Sequence, residues 1–456
     1  MIPATTARAG GRDVTACRYL LSRIFGTIEG MTSSAAASNS TASNAPPAGT
    51  LDANHPLKDG RTSDSPLITA YRGGTPPSRR PVWFMRQAGR SLPEYLKVRE
   101  GVAMLDSCLR PELAAEITLQ PVRRHDVDAA IFFSDIVIPL KLAGVGVDIV
   151  PPGVGPVLDK PVRTAADVAA LPTLTWEALE PIREAVRLTV AELGKTPLIG
   201  FAGAPFTLAA YMVEGGKPSR DHLGPRTMMH ADPETWAALA NWAADTSGMF
   251  LQAQLEAGAS AAQLFDSWAG SLGLADYTKY VAPASTRALD HVRGLGGAPL
   301  IHFGTGTSEL LVAMRDVGVD VVGVDYRLPL DEANRRLGGT VPLQGNIDPP
   351  ALLSAPPWEV LEAHVREVIA AGSHAPPGHV LNLGHGVPPE TDPPTVLTRV
   401  VELIHSIPRG VGTMRGGTPN AQGNSRRTSR RRGGRWHLGP DRRTGTGPGR
   451  FCGYCP

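Results

Sequence analysis

Short apolar runs bounded by turn residues recur eight times along the chain, at 82–85, 129–133, 198–202, 261–265, 300–303, 321–324, 341–344 and 380–383. Each has strand length and β-branched or aromatic character. Between them the apolar positions recur at helical spacing, at 112–124, 176–193, 233–257, 275–292, 308–317, 358–371 and 394–407. Pro111-Glu112 and Asp232-Pro233-Glu234 mark helix starts, since a first turn neither needs proline's missing N–H nor disfavours an acid. Strands apolar on both faces, alternating with helices, make a parallel sheet. Eight such units within 67–408 predict an α/β fold, a single closed (β/α)8 barrel. An open doubly wound sheet is the alternative, but no Gly-rich dinucleotide turn follows the first run.

The pattern stops at both ends. Residues 1–66 read as a disordered leader, with a Ser/Ala/Asn/Thr/Pro-rich centre at 32–50. Arg8, Arg12, Arg18 and Arg23 beside a short apolar run at 19–24 allow an organelle-targeting reading. Arg23 interrupts that run, so a true start at Met31 is the preferred reading, with a cytoplasmic protein. Residues 409–456 read as a basic disordered tail, a gene-model artefact being one account of it. There eleven arginines face one acid, Asp441, which leaves residues 1–408 at −8 within an overall +2. The folded part is therefore mildly acidic, and no nucleic-acid partner is expected for it. An RNA-binding reading rests on the tail alone, whose aromatics are Trp436, Phe451 and Tyr454. No apolar stretch has the length of a membrane span. The four cysteines, Cys17, Cys108, Cys452 and Cys455, are too few for a disulfide framework.

A closed barrel of this kind carries its site at the C-terminal ends of the strands. Arg86 and Arg90 follow the first run, and Ser134 and Asp135 the second. Gly203-Ala204-Pro205 follows the third, with Tyr211 two helical turns on. Asp266, Ser267 and Trp268 follow the fourth, and His302 and Gly304 sit at the fifth. Asp325 and Tyr326, then Gly345-Asn346-Ile347-Asp348-Pro349, then Gly384-His385-Gly386 complete the rim. Singly, most have a structural reading. The two arginines could sit in surface ion pairs, Asp135 could cap the next helix, Asp266 or Asp325 could pair with an arginine, and His302 reads as a satisfied core histidine. The glycines around His385 read as room for a ligand to approach the backbone. Together the rim reads as a site. It has no P-loop, no metal-spaced Cys/His cluster and no lysine close behind a strand. Arginine forks with an aspartate, a tyrosine, a serine and a histidine suit acid–base work on a polycarboxylate without a cofactor or metal.

Four blocks carry a resemblance: PVWFMRQAGRSLPEY at 81–95, IGFAGAPFTL at 199–208, QGNIDP at 344–349 and NLGHG at 382–386. In this order they resemble the uroporphyrinogen decarboxylase family. The resemblance implies a (β/α)8 barrel, usually a homodimer, in the cytoplasm or a plastid. It implies removal of the four acetate carboxyls of uroporphyrinogen III to give coproporphyrinogen III, with no cofactor and no metal. Carried over, Arg86 and Arg90 meet substrate carboxylates, Asp135 gathers the pyrrole N–H groups and Tyr211 lies near the reacting acetate. Ser267, His385 and Phe201 line the substrate pocket. Ser91 stands where many members have tyrosine, and Asp266 where many have glutamate. On this reading Asp135 stabilises a protonated, cationic pyrrole, and an arginine-held acid network including Arg86 supplies the protons, with Tyr211 and His385 as orienters. A zinc-dependent corrinoid methyltransferase of the same fold is the rival; it needs thiolates, and residues 109–451 contain no cysteine.

Overall fold

The computed structural model describes residues 50–73, 79–89, 91–149, 155–216, 218–350, 357–373, 378–389, 391 and 394–408. Residues 1–49, the tail from 409 and Arg90 lie outside the described residues. The strands are β1 (Ala130–Ile131), β2 (Val147–Ile149), β3 (Pro156–Leu158), β4 (Leu198–Gly203), β5 (Ala261–Asp266), β6 (Leu300–Gly304), β7 (Val321–Gly323), β8 (Leu343–Gln344) and β9 (His379–Val380). A parallel sheet runs β1-β4-β5-β6-β7-β8-β9. Every residue of β4 is buried, which its unbroken apolar run requires.

The stretch at 82–85 closes the ring. Val82 bridges Leu381 in parallel. The Trp83 N–H donates to the Leu381 carbonyl at 3.2 Å, and the Asp128 N–H donates to the Val82 carbonyl at 2.8 Å. The segment thus stands between β9 and the approach to β1, as an eighth barrel member. Its apolar run predicts a regular strand, but it forms only an isolated bridge, because side-chain amides replace the ladder. The Phe84 N–H donates to Gln87 Oε1 at 3.1 Å and the Met85 N–H to Asn382 Oδ1 at 3.0 Å. Tyr71 inserts beneath it. Its hydroxyl accepts from Trp83 Nε1 at 3.0 Å and donates to Gln344, whose amide donates to Gln263 at 2.9 Å.

The expected boundary at residue 66 falls inside packed structure. Leu51, His55, Leu57 and Thr62 are buried. His55 Nε2 meets the Leu255 carbonyl at 2.9 Å, and the Thr62 and Ser260 hydroxyls lie 2.9 Å apart. Residues 50–66 therefore pack against the end of the barrel opposite the rim, held by polar anchors that leave no apolar period. The hairpin β2–β3 is likewise absent from the sequence pattern. It is antiparallel, and the Leu158 N–H donates to the Gly215 carbonyl at 3.1 Å.

Helices begin where the prolines indicate, at Pro111–His125, Pro205–Glu214 and Pro233–Glu256. The Asp232 carboxylate caps the last by accepting from the Thr235 N–H at 3.1 Å. From the same helix Gln254 reaches β4 beyond the last residue paired with β1. Its Oε1 accepts from the Phe201 N–H at 2.9 Å, and its Nε2 donates to the Phe201 carbonyl at 2.9 Å. Gln254→Leu leaves both backbone groups buried without that partner. It should cost about 2–6 kcal/mol in urea unfolding, at 1–3 kcal/mol for each group.

Candidate functional site

The rim is assembled by contacts between loops, and two glycines decide how close those contacts are. A Cβ on Gly384 would overlap the backbone of Tyr326, and one on Gly386 would stand 2.8 Å from Arg86 Cδ. The sequence reading has the glycines flanking His385 make room for a ligand; the structure fills that room with protein. The glycines draw His385 between the loop after β7 and the loop carrying Arg86. The Val387 N–H donates to the Met85 carbonyl at 2.8 Å, which fastens this loop to the first segment. Asn346 fixes the loop after β7 from another side, donating to the Asp325 and Leu328 carbonyls at 2.8 and 2.6 Å.

Arg86 is exposed at the mouth and has φ 58, in the left-handed region that non-glycine residues seldom occupy. Its charge bears on both Asp135 and His385. Burial pushes the Asp135 carboxyl above its ordinary value, against the Val137 N–H bond and the nearby Arg86. That N–H donates to Asp135 Oδ1 at 3.1 Å in a local turn, so the capping role is a single bond. Burial lowers the His385 imidazole first, and Arg86 and Arg327 lower it further, against Asp325. The ring is therefore held toward its neutral form between two guanidiniums.

A second group lies on β4, β5 and the helix Pro205–Glu214. Phe201 meets Phe265 edge to face at 5.4 Å, and Phe265 meets Phe303 at 6.0 Å, an aromatic row across β4, β5 and β6. Tyr211 is buried and stacks on Trp268 at 4.0 Å and 21°. Trp268 stacks in turn on His222 at 4.1 Å and 16°. Ser267 is buried, and its carbonyl accepts from the Thr305 hydroxyl at 2.5 Å. A cavity of about 290 Å³ opens beside Ser267 and Trp268, walled by His222, Thr305, Gly306 and Arg327.

Arg86, Asp135 and His385 are thus linked by charge, and Tyr211 and Ser267 by the Trp268 wall. Arg327 belongs to both, since it acts on His385 and lines the cavity. Ser91 is half-buried, and its hydroxyl has no hydrogen-bond partner among the described residues. Asp325 pairs with Arg327 at 2.5 Å, as an arginine-paired acid would. Asp266 instead accepts from the Thr207 hydroxyl at 2.8 Å and lies 3.6 Å from His302. His302 is not the satisfied core histidine expected: it is fully buried, and neither ring nitrogen has a hydrogen-bond partner among the described residues. Sequence reasoning missed His222, Arg327, Phe265 and Phe303. The aromatics are legible as inward positions of β5 and β6, whereas nothing local marks His222 or Arg327.

A parallel barrel whose rim gathers guanidiniums, a desolvated acid and a stacked aromatic group has the architecture of a barrel enzyme with its site at the strand ends. Among the described residues no three His, Cys, Asp or Glu side chains are grouped to hold a metal ion, and no helix is long and apolar enough to cross a membrane. The uroporphyrinogen decarboxylase (URO-D) family model matches residues 62–407. The uroporphyrinogen decarboxylase of Arthrobacter sp. (strain FB24) is 92% identical over 349 residues, covering 76% of this chain and 99% of that one. That of Leifsonia xyli subsp. xyli is 61% identical over 375 residues, covering 78% and 98%. A solved methyltransferase from Methanosarcina mazei shares the fold, with TM-score 0.62 and 18% identity over 75% of this chain and 98% of that one. The chain belongs to the uroporphyrinogen decarboxylase family and is an enzyme of the carboxy-lyase class.

The raised Asp135 pKa has a consequence for stability. The fold favours its protonated form, so the favourable contribution is full below the ordinary aspartate pKa and is lost as pH rises through the raised value. Asp135→Asn should therefore melt higher than the parent at pH 7.5, with the gap closing toward pH 4. Thermal melts across that range read it directly.

Proposed function

We propose that the chain removes the acetate carboxyls of uroporphyrinogen III to give coproporphyrinogen III, with the macrocycle centred over Asp135. The observation that carries this reading is a desolvated carboxylate in a mouth edged by arginines. Ionised Asp135 is costly when the mouth is empty and is compensated when it accepts from the ring N–H groups. A pyrrole acetate loses carbon dioxide only when the ring can take the electron pair. Protonation of a ring carbon makes an iminium-like cation. The C–CO2 bond then breaks and its electrons neutralise that cation. The exocyclic carbon next takes a proton to become a methyl group, and the ring gives one up. Asp135 is the fixed anion beneath the charge that develops, a stabilisation larger in the transition state than in the ground state.

Arg86 holds a carboxylate by its fork, and Arg90 would add a second. Tyr211, held in place by Trp268, stands beside the reacting ring, with Ser267 and Phe201 against its edge. His385 is kept neutral by burial and by two cations, which suits a hydrogen-bonding orienter better than a strong acid. No cofactor or metal is invoked for these steps. A cytoplasmic homodimer belongs to the same reading.

Asp135→Ala should lower kcat by about a hundred- to a thousandfold, the range lost with one transition-state electrostatic group, while far-UV circular dichroism stays that of the parent. Turnover near the parent's would end this assignment. Arg86→Ala should lower kcat/KM by roughly a hundredfold, as expected of a charge-assisted bidentate contact. Coproporphyrinogen formation without added cofactor or metal is the assay for both.

A further inference from the structure

The cavity beside Ser267 is built for more than the contacts assigned so far. Its two walls carry a histidine and an arginine, each held in place before any ligand arrives. Arg327 is fixed by three features. Its Nη1 donates to Asp325 Oδ2 at 2.5 Å, its backbone N–H donates to Asp325 Oδ1 at 3.0 Å, and its guanidinium lies 4.4 Å from the Tyr326 ring centroid. Asp325 is itself fastened by the Gly306 N–H, and its carbonyl by Asn346. An arginine ordered in this way loses little side-chain entropy on gripping an anion. Its side chain is still 49% exposed, and the acid engages it through Nη1, so the fork keeps an edge toward the cavity.

His222 faces it. Asp221 and His222 have φ 55 and 53, two successive non-glycine residues in the left-handed region. Such strain persists only where surrounding contacts over-determine it. Here it lays the imidazole flat on Trp268, and its Nδ1 is buried with no hydrogen-bond partner among the described residues. The remaining acid of the wall, Asp221, is exposed to solvent, where water and salt screen its charge.

We propose that Arg327 and His222, with the Ser267 residue between them, form a second carboxylate-binding subsite across the mouth from Arg86. It would grip a carboxylate side chain of the same macrocycle at the open, His222 end of the Tyr211–Trp268–His222 stack. A ring with carboxylates on every side cannot be oriented by cations at one lip. Arg86 and Arg327 on either side of His385 give it two separated anchors. This deepens the decarboxylase reading and rests on it for the identity of the ligand.

The test uses the full chain and two readouts: steady-state kinetics with uroporphyrinogen, and calorimetric titration with the oxidised octacarboxylate porphyrin as a stable probe. Arg327→Gln should raise KM and the probe Kd by about tenfold or more, the scale of one charge-assisted contact. His222→Gln should raise both by a smaller factor. Arg327→Lys keeps the ion pair with Asp325 but not the fork, so it should fall between parent and glutamine variant. It also serves if the glutamine variant does not fold. Probe binding by Arg327→Gln or Arg327→Lys as tight as the parent's, or a loss confined to kcat, would overturn the subsite. If the parent itself forms no coproporphyrinogen, the decarboxylase reading fails, and the titrations still decide whether Arg327 binds a polycarboxylate ring.

Discussion

The contact of two glycines with their neighbours holds the mouth together. Without side chains, Gly384 lies against the Tyr326 backbone and Gly386 against the aliphatic stem of Arg86. Any larger residue at either position would push one wall outward. His385 stands between these contacts, so its place is set by packing rather than by a ligand. Charge follows from that closeness. Burial, then Arg86 and Arg327, lower the His385 imidazole toward its neutral form, and Arg86 also bears on Asp135. The loops after β7 and β9 and the segment at 82–85 form one interlocked unit, with Asn346 and Asn382 as side-chain ties.

Electrostatically the site is poised rather than relaxed. Asp135 is desolvated, and its nearest cation only partly offsets that. Such an acid waits for a ligand that brings donors or positive charge. Ring N–H groups bring the first, and a protonated pyrrole brings the second. The aromatic side of the mouth is rigid: Tyr211, Trp268 and His222 stack in series, with Tyr211 buried and the imidazole at the cavity. Cations for carboxylates and an anion for the ring centre describe one ligand class from two directions.

Much of this was legible in the chain. Strands buried on both faces have no alternation to lose, so seven of the eight runs surface as strands of the parallel sheet and the run at 82–85 as a bridge beside it, and the polar residues behind them mark the rim. What stayed hidden has a physical reason in each case. The segment at 82–85 replaces ladder bonds with the amides of Gln87 and Asn382, which no propensity encodes. Residues 50–66 hold on through His55 and Thr62 rather than an apolar stripe. His222 is placed by two strained backbone positions, and Arg327 by its grip on Asp325. His302 looked like core and is core, yet it lies beside Asp266 without a hydrogen bond to it. The glycines about His385 are legible as room beside the backbone, but the sequence could not say that Arg86 and Tyr326 fill the space.

The central claim is that a tetrapyrrole sits with its centre over Asp135. A crystal structure of the protein with coproporphyrinogen bound tests it most directly. The account predicts pyrrole nitrogens within about 3 Å of the Asp135 carboxylate, hydrogen-bond distance, and ring carboxylates on Arg86. A macrocycle bound in order elsewhere on the barrel, or seated in the mouth with Asp135 turned away from its nitrogens, would contradict it.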